Sequence, residues 1–398
     1  MGRYRRLLAN EPFMRLWTGS TVSAFGDSLT WVAMVWLVYA RSGSPREVSL
    51  LVVVATAPVI VGGLLMGTAL DRFERRRFLA LVNAVLGAAV LSVPLAVAMG
   101  GVTLPHLFVV AGLYGFLKMA NWAGVPSMVP TLVSDPQDLA TANALESVSF
   151  GVADIAGPAA AGVLIAMVGA TSVLGIDAAT YAVFLIALLS LPRQTVPARD
   201  PGERGLGLRP ALRFLRNDRA VFATTVMYMS ANVGEGMMIV LIPVYARVVL
   251  GGGSGTYGLM MSTFAIATTV GAALVGMITW RRPLGRSIAC SQALCGLGYL
   301  PLLALPGLVP AMGTLALAGA LGSPLTIWAQ TLRMQRIPDE MRGRVFALLR
   351  TLMQSTPPLG GALAGLLIPV VGLRWTLALV VVTIGAPGVI GLTISALG

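Results

Sequence analysis

Twelve apolar stretches, each long enough to cross a bilayer as a helix, decide what this chain can fold into. A helix needs about 20 residues to span the hydrocarbon core, and the stretches run roughly over residues 13–39, 48–70, 78–99, 104–130, 139–168, 172–191, 220–249, 255–279, 284–304, 308–332, 344–370 and 374–397. Inside lipid every backbone N–H and C=O must find its partner within the segment, so a run of this length spans as an α-helix. Charged residues make up 11% of the chain, against about 25% in a soluble domain. The expected fold class is therefore an all-α membrane protein with twelve transmembrane helices.

The net charge of +12 could point to nucleic acid, but its placement argues otherwise. Of 27 arginines, 22 fall at the amino terminus or in the even-numbered gaps between spans, among them Arg72, Arg75, Arg76 and Arg77. An excess of Arg and Lys marks cytoplasmic loops, which puts both termini in the cytoplasm. Residues 192–219 form the one long polar break. The expected division is a first six-helix bundle over 1–191, a cytoplasmic linker over 192–219 and a second bundle over 220–398. Within the linker, residues 208–215 read equally well as a flexible tether or as a short helix on the inner leaflet, with Arg209, Arg213 and Arg216 towards lipid phosphates.

The two halves repeat each other. Gly26-Asp27 followed by Val38-Tyr39-Ala40-Arg41 returns as Gly234-Glu235 followed by Val244-Tyr245-Ala246-Arg247. Ala144, Leu145, Gly157 and Gly162 return as Ala347, Leu348, Gly360 and Gly365. Internal duplication with an acid at matched depth in the first helix of each half is a transporter pattern, with the coupling site near the membrane midplane. No Cys/His cluster, phosphate loop or nucleophile elbow occurs, so neither an enzyme nor a metal site nor a cofactor is expected. The first apolar segment is too long for a cleavable signal and contains Asp27.

Between spans two and three runs Gly67-Thr68-Ala69-Leu70-Asp71-Arg72-Phe73-Glu74-Arg75-Arg76-Arg77. This resembles the signature loop of the major facilitator superfamily, G-x-x-x-D-R-x-G-R-R, with Glu74 in place of the second glycine. That departure, with Pro130-Thr131-Leu132-Val133, Leu139 to Leu145 and Pro338 to Ala347, is similar to the branch of enterobactin-type siderophore exporters and macrolide efflux proteins. The resemblance implies two pseudo-symmetric six-helix bundles working by alternating access. It also implies a cytoplasmic gate of Gly67, Asp71, Arg72, Arg75 and Arg76, in which Asp71 faces the amino-terminal end of span eleven and the arginines bridge to acids or inner-leaflet phosphates. Gly157-Pro158 in span five resembles the superfamily's antiporter motif, which belongs to exporters.

Few ionisable residues lie inside the spans, and each costs about 2.5–3.5 kcal/mol to insert unless paired or hydrated. Asp27 lies about 21 Å along span one and Glu235 at similar depth in span seven. Lys118, the only lysine, falls mid-way along span four, near the basic residue of the family's fourth-helix motif. The resemblance implies an Asp27–Lys118 pair acting as a proton switch; a static pair that fixes packing is the alternative. Glu235 has no basic partner in its own helix and reads as a site for a proton or a cationic substrate. Asp154 is a second-rank proton site, and Asp177, near the outer end of span six, reads as solvated or capping. Thr30, Trp31, Asn232 and Met238 share helical faces with the acids and are expected cavity-lining residues.

The function these features imply is a proton-coupled exporter of amphipathic small molecules such as drugs or siderophore-like compounds. Its partners would be substrate, protons and the lipid bilayer, with no nucleic acid. It would work as a monomer in the bacterial inner (cytoplasmic) membrane. An uptake symporter or lipid flippase of the same fold, and a non-transporting membrane sensor, are the alternatives.

Overall fold

The computed structural model describes residues 6–58, 62, 65–66, 69–70, 72–133, 136–193, 208–277 and 283–394. Thirteen helices organise these residues: α1 Glu11–Ser42, α2 Pro45–Thr56, α3 Arg75–Ala98, α4 Leu104–Leu132, α5 Pro136–Val168, α6 Ala170–Ser190, α7 Leu208–Asn217, α8 Arg219–Val244, α9 Ser254–Met277, α10 Leu284–Gly298, α11 Leu308–Arg336, α12 Asp339–Gln354 and α13 Thr356–Thr393. Ten helices among the described residues are long and apolar enough to cross a membrane. One of these runs through Leu348–Thr393 and breaks at Gly372, whose φ of 82° and ψ of 170° leave the helical region. A side chain there would be strained, so glycine lets the eleventh and twelfth spans meet without a loop. The described residues of the expected second span are helical apart from a turn at Ala57. The chain is an all-helical integral membrane protein with multiple spans.

Several helix starts are written locally. Thr103 caps α4 by accepting from the His106 N–H, with Pro105 in the first turn. Asp218 caps α8 by accepting from the N–H groups of Ala220 (3.0 Å) and Val221 (2.9 Å). Each uses a side-chain oxygen to satisfy a donor that has no intrahelical partner.

The chain forms two compact units, Met1–Ser42 with Val54–Arg199 and Gly43–Val53 with Asp200–Gly398. In the first, α1 packs against α5 and α6, and α3 against α4 and α6. The amides of Asn83 and Asn121 exchange two hydrogen bonds (2.8 and 3.0 Å) across α3 and α4, the polar glue that membrane bundles use in place of a hydrophobic drive. Leu91, Leu95, Val109 and Ile186 lie exposed on this unit and form its apolar outer face.

In the second unit α8 packs against α13, α9 against α11, and α10 against α11 and α13. The early part of α2 belongs here, because Gly361 and Gly365 leave room for Val52 and Ser49. Helix α7 is anchored by protein: Ala211 and Leu215 are buried in one cluster with Val221, Leu332, Val345 and Leu349, while Arg213 and Arg216 stay exposed.

Candidate functional site

The mid-span charges of the first unit come together. Asp27, on α1 and 6% exposed, lies 3.2 Å from the Lys118 ammonium on α4. Lys118 also donates to the Tyr114 hydroxyl (2.9 Å), one turn earlier on its own helix, and Tyr114 donates to the Asp27 carbonyl (3.1 Å). Tyr181 on α6 donates to the other oxygen of the Asp27 carboxylate (2.5 Å). The rings of Tyr114 and Trp122 flank the ammonium at 5.1 and 6.0 Å, distances at which a ring face attracts a cation. A buried ion pair holds best when its remaining donors and acceptors are met; here each carboxylate oxygen has a donor, and the ammonium has two oxygen acceptors and two ring faces.

Asp177 joins this cluster, against expectation. It is fully buried, its Oδ2 2.5 Å from the Thr30 hydroxyl and its Oδ1 2.8 Å from the Thr180 hydroxyl. The expected solvated or capping role is therefore replaced by a place inside the bundle. Span six begins at Ala170 and Asp177 lies about two turns in, deep enough to meet α1. Gly26 makes the meeting possible, because a Cβ there would run into Asp177 and Thr180. Gly157 does the same on α5, where a Cβ would meet Ser28. Thr30, expected to line a cavity, instead has its hydroxyl committed to Asp177. Trp31 is half-buried, and Pro158 is half-buried beside Gly157 in α5. The Asp154 side chain lies outside the described residues.

The second unit is arranged differently. Glu235 is exposed at the wall of a cavity of about 70 Å³ that Tyr228, Asn232, Thr268, Cys295 and Thr326 also line. That volume is large enough to admit water beside the carboxylate. Among the described residues no basic side chain forms an ion pair with Glu235. Asn232 donates to the Met353 carbonyl (2.9 Å), which fixes its amide beside the cavity. Met238 is buried and lies with Leu241, Tyr245, Met260 and Leu315 around a separate apolar pocket rather than the one Glu235 borders. Beyond the cavity wall, the buried Arg333 guanidinium stacks 5.3 Å from the Tyr228 ring centroid.

Of the expected gate, Gly67 and Asp71 lie outside the described residues, and Arg72 is exposed. Arg75 donates to the Ser127 carbonyl of α4 (2.8 Å) and Arg76 to the Leu191 carbonyl just past α6 (2.5 Å). These two arginines thus hold carbonyls near helix C-terminal ends within their own unit, where positive charge is attracted. Glu74 pairs with Arg77 at 2.9 Å and with Arg76 at 3.5 Å, which gives the residue in the family's glycine position a local partner.

Sequence reasoning missed Tyr114, Tyr181, Tyr228 and Arg333. A signal existed for two of them: Tyr114 stands four residues before Lys118, and Tyr181 four after Asp177, so each shares a helical face with a buried charge.

Comparison with known proteins agrees with this architecture. The multidrug efflux pump Tap of Mycobacterium tuberculosis is 28% identical over 401 residues, covering 94% of this chain and 91% of that protein. The enterobactin exporter EntS of Salmonella typhimurium is 22% identical over 360 residues, covering 90% and 86%. The crystal structure of the nucleoside transporter NupG matches 96% of this chain and 99% of its own with a TM-score of 0.73 at 12% identity. A bacterial homologue of the iron transporter ferroportin, in an inward-facing state, matches 97% and 98% with a TM-score of 0.69 at 14% identity. These structures share the major facilitator fold. A family profile described as transmembrane secretion effector covers residues 6–396, nearly the whole chain, and the protein is accordingly a member of that family of major facilitator transporters and not an enzyme.

Proposed function

We propose that the protein is a proton-coupled exporter of amphipathic small molecules, working by alternating access in a bacterial cytoplasmic membrane with both termini inside. The observation that carries this reading is the Asp27–Lys118 pair, a carboxylate and an ammonium 3.2 Å apart and shielded by Tyr114 and Tyr181. A proton arriving at Asp27 removes the charge that holds Lys118, and its departure restores the pair. The pair therefore has two arrangements that differ by one proton, which is what coupling requires. Export rather than uptake is favoured by the relatives, which are a multidrug efflux pump and an enterobactin exporter.

In this reading Glu235 meets the charged group of the substrate. Its carboxylate borders a wall that is polar at Asn232 and Thr268 and aromatic at Tyr228 and Phe264, a lining suited to an amphipathic cation. Gly67, Asp71 and Arg72 serve as the cytoplasmic gate, with Arg75 and Arg76 holding the helix ends that flank it. Arginine enrichment of the even-numbered gaps supports the orientation.

The test is accumulation of chemically diverse dyes and drugs in cells expressing wild type or Asp27→Asn, with and without an uncoupler. Wild type should lower accumulation only while the proton gradient stands, and Asp27→Asn should match the empty vector. Wild-type accumulation equal to the vector across all compounds would count against multidrug export.

A further inference from the structure

The hydroxyls around Asp177 count its hydrogens. Thr30 Oγ1 lies 2.5 Å from Oδ2; Thr180 Oγ1 lies 2.8 Å from Oδ1 and also 2.9 Å from the Asp177 backbone carbonyl. These are three oxygen–oxygen contacts, and two threonines bring two hydroxyl hydrogens between them. Thr30 gives its hydrogen to Oδ2. If Thr180 gives its own to the backbone carbonyl, the contact to Oδ1 needs a hydrogen from the carboxyl itself. A neutral Asp177 supplies it, with Oδ1–H donating to Thr180 Oγ1, and all three contacts are then hydrogen bonds.

The charges give the same answer. Two carboxyls lie beside one ammonium in a buried cluster, and Lys118 sits on Asp27. Asp177 is fully buried, and among the described residues no cation forms an ion pair with it. The groups that face it are Asp27 from α1, Tyr114 and Lys118 from α4, and Tyr181 from α6 itself. Helix α3, packed along α6, has no titratable residue after Arg77, and α5 brings Asp154, whose side chain is outside the described residues. With both acids ionised, the cluster would hold an uncompensated negative charge out of water, which a bound proton removes.

We propose that Asp177 carries the coupling proton, stored as a neutral acid between Thr30 and Thr180, and that the Asp27–Lys118 pair is its point of exchange with solvent. This rests on the proton-coupled reading above and moves the stored proton from the first helix to the sixth. Asp177 reaches the outside only through neighbours: Tyr181, one turn along, donates to Asp27, and Thr30 is one turn beyond Asp27 on α1. When Asp27 gives up a proton to solvent, Asp177 can refill it, and the carboxylate left behind keeps Thr30 as a donor and gains Thr180, whose hydrogen turns from the backbone carbonyl to Oδ1. Among the described residues the second unit shows no counterpart at the repeat position, because Gly234, the partner of Gly26, packs against Ile384.

Infrared pH-difference spectra of the purified full chain in lipid test this, because a neutral carboxyl has its own carbonyl band. The wild type should show a band that disappears as pH rises; Asp177→Asn should lack it, and in Asp27→Asn, where Lys118 has lost its carboxylate, it should disappear at lower pH. A band that persists in Asp177→Asn, or that vanishes only in Asp27→Asn, overturns the proposal. Should Asp177→Asn fail to fold, Thr180→Val must shift the band, and an unmoved band overturns it equally. Dye efflux from proteoliposomes driven by a pH gradient separates this proposal from the export reading. Loss of efflux in Asp177→Asn supports the carrier role, and undiminished efflux overturns it. A wild type with no pH-driven efflux overturns coupling and the carrier role together, while the band still locates the proton.

Discussion

Lys118 holds its charge only because of what surrounds it. Its ammonium has one carboxylate, one hydroxyl and two aromatic rings within reach, and its side chain is 23% exposed. Lys118→Ala would leave Asp27 buried with, among the described residues, Tyr181 as the only side chain donating to its carboxylate. Breaking a buried pair from one side costs about 3–5 kcal/mol, whereas removing both charges costs far less. Lys118→Ala should therefore unfold much more readily than wild type in urea titrations of the purified protein, and adding Asp27→Asn should restore most of the loss. An additive double variant would mean that the pair contributes nothing as a pair. Asp27 and Lys118 were legible in the sequence because ionisable residues inside apolar runs are rare enough to stand out. Asp177 was not, because its depth depends on where span six begins, and hydropathy fixes that only to within a turn. Tyr114 and Tyr181 escaped for another reason: a tyrosine in a membrane helix carries no cost that marks it.

The helices of each unit approach closely where glycines allow it, and the two copies of the repeat use that approach for different ends. Gly26 puts α1 against the Asp177 carboxyl and the Thr180 hydroxyl; Gly234 puts α8 against the Ile384 side chain and the Thr383 hydroxyl. An added methyl meets a hydrogen-bonded acid in one case and mainly the flexible end of an isoleucine in the other. Overpacking a tight site costs about 1–3 kcal/mol. Gly26→Ala should fall in that range and Gly234→Ala at its lower edge, as read from the denaturation midpoints of the two proteins. Gly151→Ala is the control: nothing lies within 4 Å of its added methyl, and it should be neutral or stabilising by up to about 1 kcal/mol. Equal losses at Gly26 and Gly234 would mean that the acid is free to move aside. The Gly-Asp and Gly-Glu repeat pointed to these sites, but the sequence could not say what each glycine faces. That depends on α6 and α13, where the repeat does not extend to Asp177 and Ile384.

For the molecule as a whole, the difference between its two units matters more than their likeness. One buries its first-helix acid in a cluster with an ammonium, two tyrosines and a second acid; the other leaves its acid exposed at a cavity wall with no ion-pair partner among the described residues. A buried, paired carboxylate is shielded from substrate and changes charge only by taking a proton. An exposed carboxylate beside aromatic and polar groups can receive an organic cation at little desolvation cost. Proton and substrate should therefore be separable by mutation. Asp27→Asn should keep binding of a cationic dye, followed by tryptophan quenching in detergent, while losing dye efflux driven by a pH gradient in proteoliposomes. Glu235→Gln should do the reverse: cationic dye binding should weaken by about tenfold, the scale of one lost charged contact at about 1.4 kcal/mol, while pH-driven efflux of a neutral substrate persists. If Glu235→Gln abolished efflux of neutral and cationic substrates alike, the acid of the second unit would be part of the proton path. The division of labour between the two copies of the repeat would then fall, even with the geometry of both sites unchanged.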